Sequence, residues 1–164
     1  MDDVLLFPAP LAEPLALEVD PVPLAAGWMR RREDREFARM EAAFAGHGGL
    51  LPADVALRRL RLKAPRSLSG FARAIVARTT IAFKRGHDLL VPMFQFDPAS
   101  LEMRPGVAQV VAELVGVFDE WELALWFATP NGWLSDAAPV ELVALRPDDV
   151  QRAARADRYV AAGH

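Results

Sequence analysis

Histidine, serine and the acidic residues are the side chains of this chain that could do chemistry, and their spacing decides whether they do. His47 lies among Gly46, Gly48 and Gly49, His87 follows Gly86, and His164 is the last residue. A metal centre needs several ligands at helical or hairpin spacing, and these three share none. They read as structural or solvent-facing. Ser67, Ser69, Ser100 and Ser135 are the available serine nucleophiles; none stands in Gly-x-Ser-x-Gly, and no histidine is placed by sequence as its base. There is no cysteine, which excludes a thiol nucleophile, a disulfide scaffold and thiolate zinc or iron–sulfur sites. The glycines at 46, 48 and 49 follow no strand and precede no Gly-Lys-Ser/Thr, so they read as a helix stop rather than a phosphate loop. Asp119, Glu120 and Glu122 cluster, but Asp119-x-x-Glu122 is a capping box. The expectation is a protein that is not an enzyme and carries no cofactor or metal.

Arginine is more informative. The chain holds 19 Lys+Arg and 22 Asp+Glu, for a net charge of -3, yet the charges are unevenly spread. Residues 1–50 carry five basic and nine acidic groups, residues 51–87 nine basic and one acidic, and residues 88–164 five basic and twelve acidic. The middle block includes Arg58, Arg59, Arg61, Lys63, Arg66 and Arg73. Such a block is the electrostatic footprint of a phosphate-binding surface, which makes these six residues candidate DNA contacts. The alternative is a basic face that pairs with the acidic thirds, within one chain or across a dimer.

The elements that must position these groups follow from periodicity. With 164 residues, 52% of them hydrophobic, the chain can bury a core, and it reads as mainly α. Residues 1–27 contain Pro8, Pro10, Pro14, Pro21 and Pro23 and read as an extended arm, flexible or laid on a groove. Residues 28–49 form an amphipathic helix with Met29, Glu33, Phe37, Met40 and Phe44 in one stripe, then the glycine stop. In residues 50–97, a helix from Leu51 to Leu62 and a second to about Arg78, capped by Ser67 or Ser69, have a helix-turn-helix outline. A β-hairpin follows, pairing Thr80–Phe83 with Leu89–Val91 and turning through residues 85–88; Pro92 makes the second strand an edge or ends it.

Residues 98–164 read as helical throughout. Val107, Val110, Val111, Leu114 and Phe118 keep the helical period. The helix from Glu120 to Ala128 is apolar nearly all round and belongs in the core. Pro139 and Pro147 open the last two helices. No apolar run approaches the ~20 residues that span a bilayer, and the Met-Asp-Asp start is acidic where a signal peptide would be basic. A soluble cytoplasmic protein is expected.

The segment Pro92-Met-Phe94-Gln95-Phe96-Asp97, then Trp126 with Pro130, Asn131 and Leu134, then Pro139 and Leu142, resembles the Xre/MbcA/ParS-type antitoxins over about residues 50–160. The resemblance implies a type II antitoxin whose partner is a RES-domain toxin that degrades NAD or ADP-ribosylates a target. It further implies a toxin-binding C-terminal region, N-terminal helices able to bind operator DNA, and a homodimer. In that frame Trp126 fills the core, Pro130 ends its helix and Asn131 bonds the backbone at the turn. Arg152, Arg155, Arg158 and Tyr159 of the final helix are the candidates for entering the toxin's NAD cleft, since arginine binds phosphate bidentately. The alternative is a stand-alone DNA-binding regulator. The family has a glycine between the leucine and the second proline, where this chain reads Ser135-Asp136-Ala137-Ala138. If that glycine serves a positive φ, Asp136 meets it only at a cost.

Overall fold

The computed structural model describes residues 21–63 and 68–163. Helices predominate and three short strands form one antiparallel sheet, as the mainly α reading requires. Helix α1 spans Pro21–Ala45, so it begins inside the segment assigned to the arm rather than at Trp28. Pro21 and Pro23 fall in its first turn, where backbone N–H groups have no intrahelical acceptor to lose. The rest of the expected arm, residues 1–20, lies outside the described residues.

Along α1, Phe37, Met40 and Phe44 are buried at the expected spacing, but Met29 is 65% exposed and Glu33 also faces solvent. The buried stripe therefore starts only where α1 meets helix α5 (Glu120–Ala128). There Trp121 donates its indole N–H to Glu36 at 2.9 Å, and Phe37 stacks against Trp121. Gly48 and Gly49, both at positive φ, end the helix as expected. Gly48 has a second reason to be glycine: a Cβ there would lie 2.9 Å from the Cβ of Met93, closer than real carbon contacts allow.

The sheet differs from the expected hairpin in two ways. Its order is β1 (Leu50–Pro52), β3 (Asp88–Pro92), β2 (Phe83–Arg85), so the second hairpin strand is central, and Pro92 ends it rather than marking an edge. The additional strand β1 occupies what the sequence reading assigns to a helix start; three residues are too few to show a period. Helix α2 then runs Ala53–Lys63. The hairpin itself has a two-residue loop, Gly86-His87, between the paired Arg85 and Asp88, and its first strand begins at Phe83, not Thr80. Thr80–Ala82 lies just ahead of the strand and belongs to none among the described residues. Helix α3 (Leu68–Val76) is shorter than expected, and Arg78 follows it at φ +54°. Ser69 lies within α3, and Ser67 is outside the described residues.

The remaining helices are α4 (Pro105–Leu114), α6 (Pro139–Leu142) and α7 (Pro147–Ala161), each opened by proline at its first position. The capping box of Asp119 and Glu122 on α5 is present, with both reciprocal bonds at 2.8 and 2.9 Å. Buried apolar side chains form two groups. The larger joins α1, α4, α5, α6 and α7 and includes Phe44, Phe94 and Phe127. The smaller lies under α2 and α3 and includes Leu60, Phe71, Val91, Met93 and Phe96.

The segment Met93–Phe96 is the wall between them. Phe94 packs against Phe44 and Phe127 with ring centroids 5.0 and 4.8 Å away, while Phe96 meets Phe71 edge-on at 5.6 Å. Between the two rings Gln95 is fully buried. Its Oε1 accepts from Ile81 N–H at 2.9 Å, and its Nε2 donates to the carbonyls of Ile81 (2.8 Å) and Pro92 (2.9 Å). The amide thus acts as a strand partner for one residue of the Thr80–Ala82 segment. Gln95→Leu, of similar volume, orphans three buried backbone groups at ~1–3 kcal/mol each. It should lower the unfolding free energy by about 3 kcal/mol or more, read as a lower urea midpoint, and a midpoint within error of wild type contradicts this assignment.

Candidate functional site

The residues behind the resemblance are framework residues. Asp97 caps the turn after the wall: its Oδ1 accepts the N–H groups of Ala99 (2.9 Å) and Ser100 (3.0 Å). Those bonds, Ser100 first, hold its carboxyl below the ordinary aspartate range. Leu134 is buried, Pro139 starts α6, and Leu142 packs half-buried against the larger core. Trp126 does not fill the core as expected; Phe127 beside it does, and Trp126 sits half-buried with its ring edge-on to Phe127. Pro130 lies in the exposed turn just beyond α5.

What Trp126 does instead is reach α7. Its indole N–H donates to Asp157 Oδ2 at 2.7 Å, Asn131 Nδ2 donates to the same oxygen at 2.7 Å, and Trp133 donates its indole N–H to Asp157 Oδ1 at 3.0 Å. The other end of the Asn131 amide accepts the N–H of Trp133 at 2.9 Å, the backbone role expected of it. Trp133 is 65% exposed, yet both its backbone and its ring nitrogen are held. Asp157 was not singled out by sequence reasoning, although a signal existed. Val150, Ala153 and Ala154 form the buried stripe of α7, and Asp157 stands at the next position of that stripe, where a carboxylate must find donors.

The loop leading to α6 answers the departure from the family pattern. Ser135 and Asp136 both adopt left-handed backbone, at φ +57° and +62°. Positive φ is needed there, and two residues with Cβ atoms supply it; Asp tolerates this region better than most residues, at a cost per position of about 1 kcal/mol. Asp136 N–H is satisfied by the Asn131 carbonyl at 3.1 Å.

The four residues expected to enter a partner's cleft divide. Arg155 and Arg158 both clasp Glu113 of α4, at 2.8 and 2.6 Å, and Gln151 adds a longer bond. Arg152 pairs with Asp149 on its own helix, as does Arg146. Tyr159 is largely exposed. Arg155 and Arg158 therefore hold α7 onto α4, a role the sequence reading did not give them.

The basic block also divides. Arg78 lies 2.7 Å from the carboxylate of Glu120 and donates to the Phe118 carbonyl, and Arg85 pairs with Asp34 at 3.1 Å. These arginines join the basic block to the acidic thirds. On α2, Arg58 pairs only with Asp54 one turn away, while Arg59 and Arg61 are exposed, as is Arg73 on α3. The side chain of Lys63 and the whole of Arg66 lie outside the described residues. Among the described residues no group of three His, Cys, Asp or Glu side chains could hold a metal ion, and no helix is long and apolar enough to cross a membrane. No protein-family model, no curated protein and no solved structure matches the chain.

Glu113 carries a pH signature. The hydrogen bond from Arg155 lowers its pKa below the ordinary 4.5, burial opposes that, and the charges of Arg155 and Arg158 lower it further. A group whose folded pKa is depressed stabilises the protein above its unfolded value, and that stabilisation fades as pH falls through the folded one. Glu113→Gln should therefore lower the urea midpoint at pH 7 and shrink the loss of stability between pH 5 and pH 3 relative to wild type; parallel profiles for the two proteins would contradict it.

Proposed function

We propose that this chain is the antitoxin of a type II pair, of the Xre/MbcA/ParS kind, binding a RES-domain toxin and occluding its NAD site without chemistry of its own. The observation that carries the reading is that the residues of the resemblance interlock. Phe94, Gln95 and Phe96 separate the two cores, and Trp126 and Asn131 dock the last helix through one carboxylate. The residues of the resemblance are thus the ones that join the two cores and seat the last helix, which supports the reading.

The surface around α7 suits a partner. Trp133, Leu145, Tyr159 and Val160 are large apolar side chains left exposed, and tryptophan, tyrosine and arginine are the residues that dominate interface energetics. In this reading Arg152 and Tyr159 meet the toxin, and Arg155 and Arg158 act through the seating of α7. A homodimer and a cytoplasmic location belong to the same proposal.

Co-expression with the toxin of the adjacent gene tests it. The expected result is a stable complex, restored growth and preserved cellular NAD. Tyr159→Ala should weaken the complex by ~10-fold or more if Tyr159 is an interface anchor. A neighbouring RES toxin that forms no complex, or whose toxicity is unaffected, would overturn the proposal.

A second reading, binding to operator DNA with or without a toxin, is favoured by one observation: Arg59 and Arg61 lie exposed on helix α2, and Arg73 is exposed on α3. Binding to the chain's own promoter should weaken steeply as salt rises from 50 to 200 mM. Arg61→Glu together with Arg58→Glu should flatten that dependence, and affinity indifferent to salt would exclude this surface.

A further inference from the structure

A cavity of about 450 Å³ opens between the turn after α1, helix α2 and helix α6. Its volume lies in the range of small-molecule sites, ~300–1,000 Å³. The floor is apolar and formed by the wall segment: Met93, Phe94 and Phe96, joined by Leu101. Val140 and Val143 close the side toward α6. At the mouth stands Leu62, 84% exposed, a large apolar side chain that the rest of the described fold does not cover.

The charged side chains lining the cavity, Arg59 and Arg104, are of one sign. His47 lines it beside them, and no carboxylate does among the described residues. Arg104 spends its Nε on the Phe96 carbonyl at 3.3 Å, which holds the guanidinium against the apolar floor and leaves its terminal nitrogens as further donors. Arg59 makes no ion pair or hydrogen bond among the described residues, although most arginines of the molecule do. Two guanidiniums at the edge of a largely apolar concave surface, with Asp97 near Arg104 but outside the lining, are matched by an anion joined to an apolar body.

We infer that this cavity binds a small organic carboxylate with an apolar tail of eight to twelve carbons, its head between Arg59 and Arg104 and its tail on the phenylalanine floor. The site needs neither a toxin nor DNA and goes beyond the function proposed above. Its walls come from α2, which carries the exposed arginines, and from α6, which precedes the helix proposed to meet a partner.

Isothermal titration of the full chain with decanoate, and separately with decanamide, tests the inference. Decanoate should bind saturably at one site with a dissociation constant below 1 mM. Decanamide, which keeps the tail and loses the charge, should bind at least tenfold more weakly. Arg59→Glu, at an exposed position, should weaken decanoate at least tenfold, and Ala144→Trp, which places an indole at the mouth, should do the same while leaving the circular dichroism and urea midpoint unchanged. No saturable decanoate binding below 1 mM, equal binding of decanamide, or decanoate binding unaffected by both substitutions would each overturn the assignment. Binding abolished only together with the fold, in either variant, is excluded by the stability measurement on the other.

Discussion

A buried side-chain amide is the interaction on which the rest of this structure depends. Gln95 sits where two hydrophobic cores meet, and a polar group in that position is tolerable only if its donors and acceptor are used. Its bonds use them on the backbone of Ile81, which belongs to no strand, and on the carbonyl of Pro92, the last residue of β3. In doing so Gln95 fixes the approach to strand β2, the end of strand β3 and the orientation of the phenylalanines on either side. Phe94 then faces the helical bundle and Phe96 the α2–α3 pair. Had an apolar residue stood there, either core could still form, but their mutual register would rest on packing alone, which specifies orientation less sharply.

Much of this framework was legible in the sequence because its signals are periodic or local. The spacing of Phe37, Met40 and Phe44, the Asp119–Glu122 box, the prolines opening α4, α6 and α7 and the glycine stop at residues 46–49 each act within one or two turns. What was not legible depends on tertiary geometry. Strand β1 is three residues of Leu-Leu-Pro that become a strand only because β3 lies beside them. Met29 has the right spacing for the buried stripe of α1, yet it is exposed among the described residues.

The site residues show the same division. Asn131 was predicted to bond the turn, and it does, but its second partner, Asp157, is 26 residues away. Arg155 and Arg158 have the right chemistry for a phosphate, and they meet Glu113 across α4 instead. Whether an arginine is available to a ligand is decided by which carboxylates the fold places beside it, and sequence spacing does not carry that information. The basic block makes the point in reverse: Arg78 and Arg85 are drawn into ion pairs with the acidic thirds, whereas Arg59 and Arg61 on α2 are left to solvent.

The division of the buried side chains into two groups has a consequence for how the molecule opens. The α2–α3 core is small and meets the bundle of α1, α4, α5, α6 and α7 mainly across the Met93–Phe96 wall. Local opening free energies follow the contacts that must be broken. The α2–α3 unit is therefore expected to open at a lower free energy than the bundle. Amide hydrogens in α2 and α3 are then expected to exchange faster than those of α4 and α5.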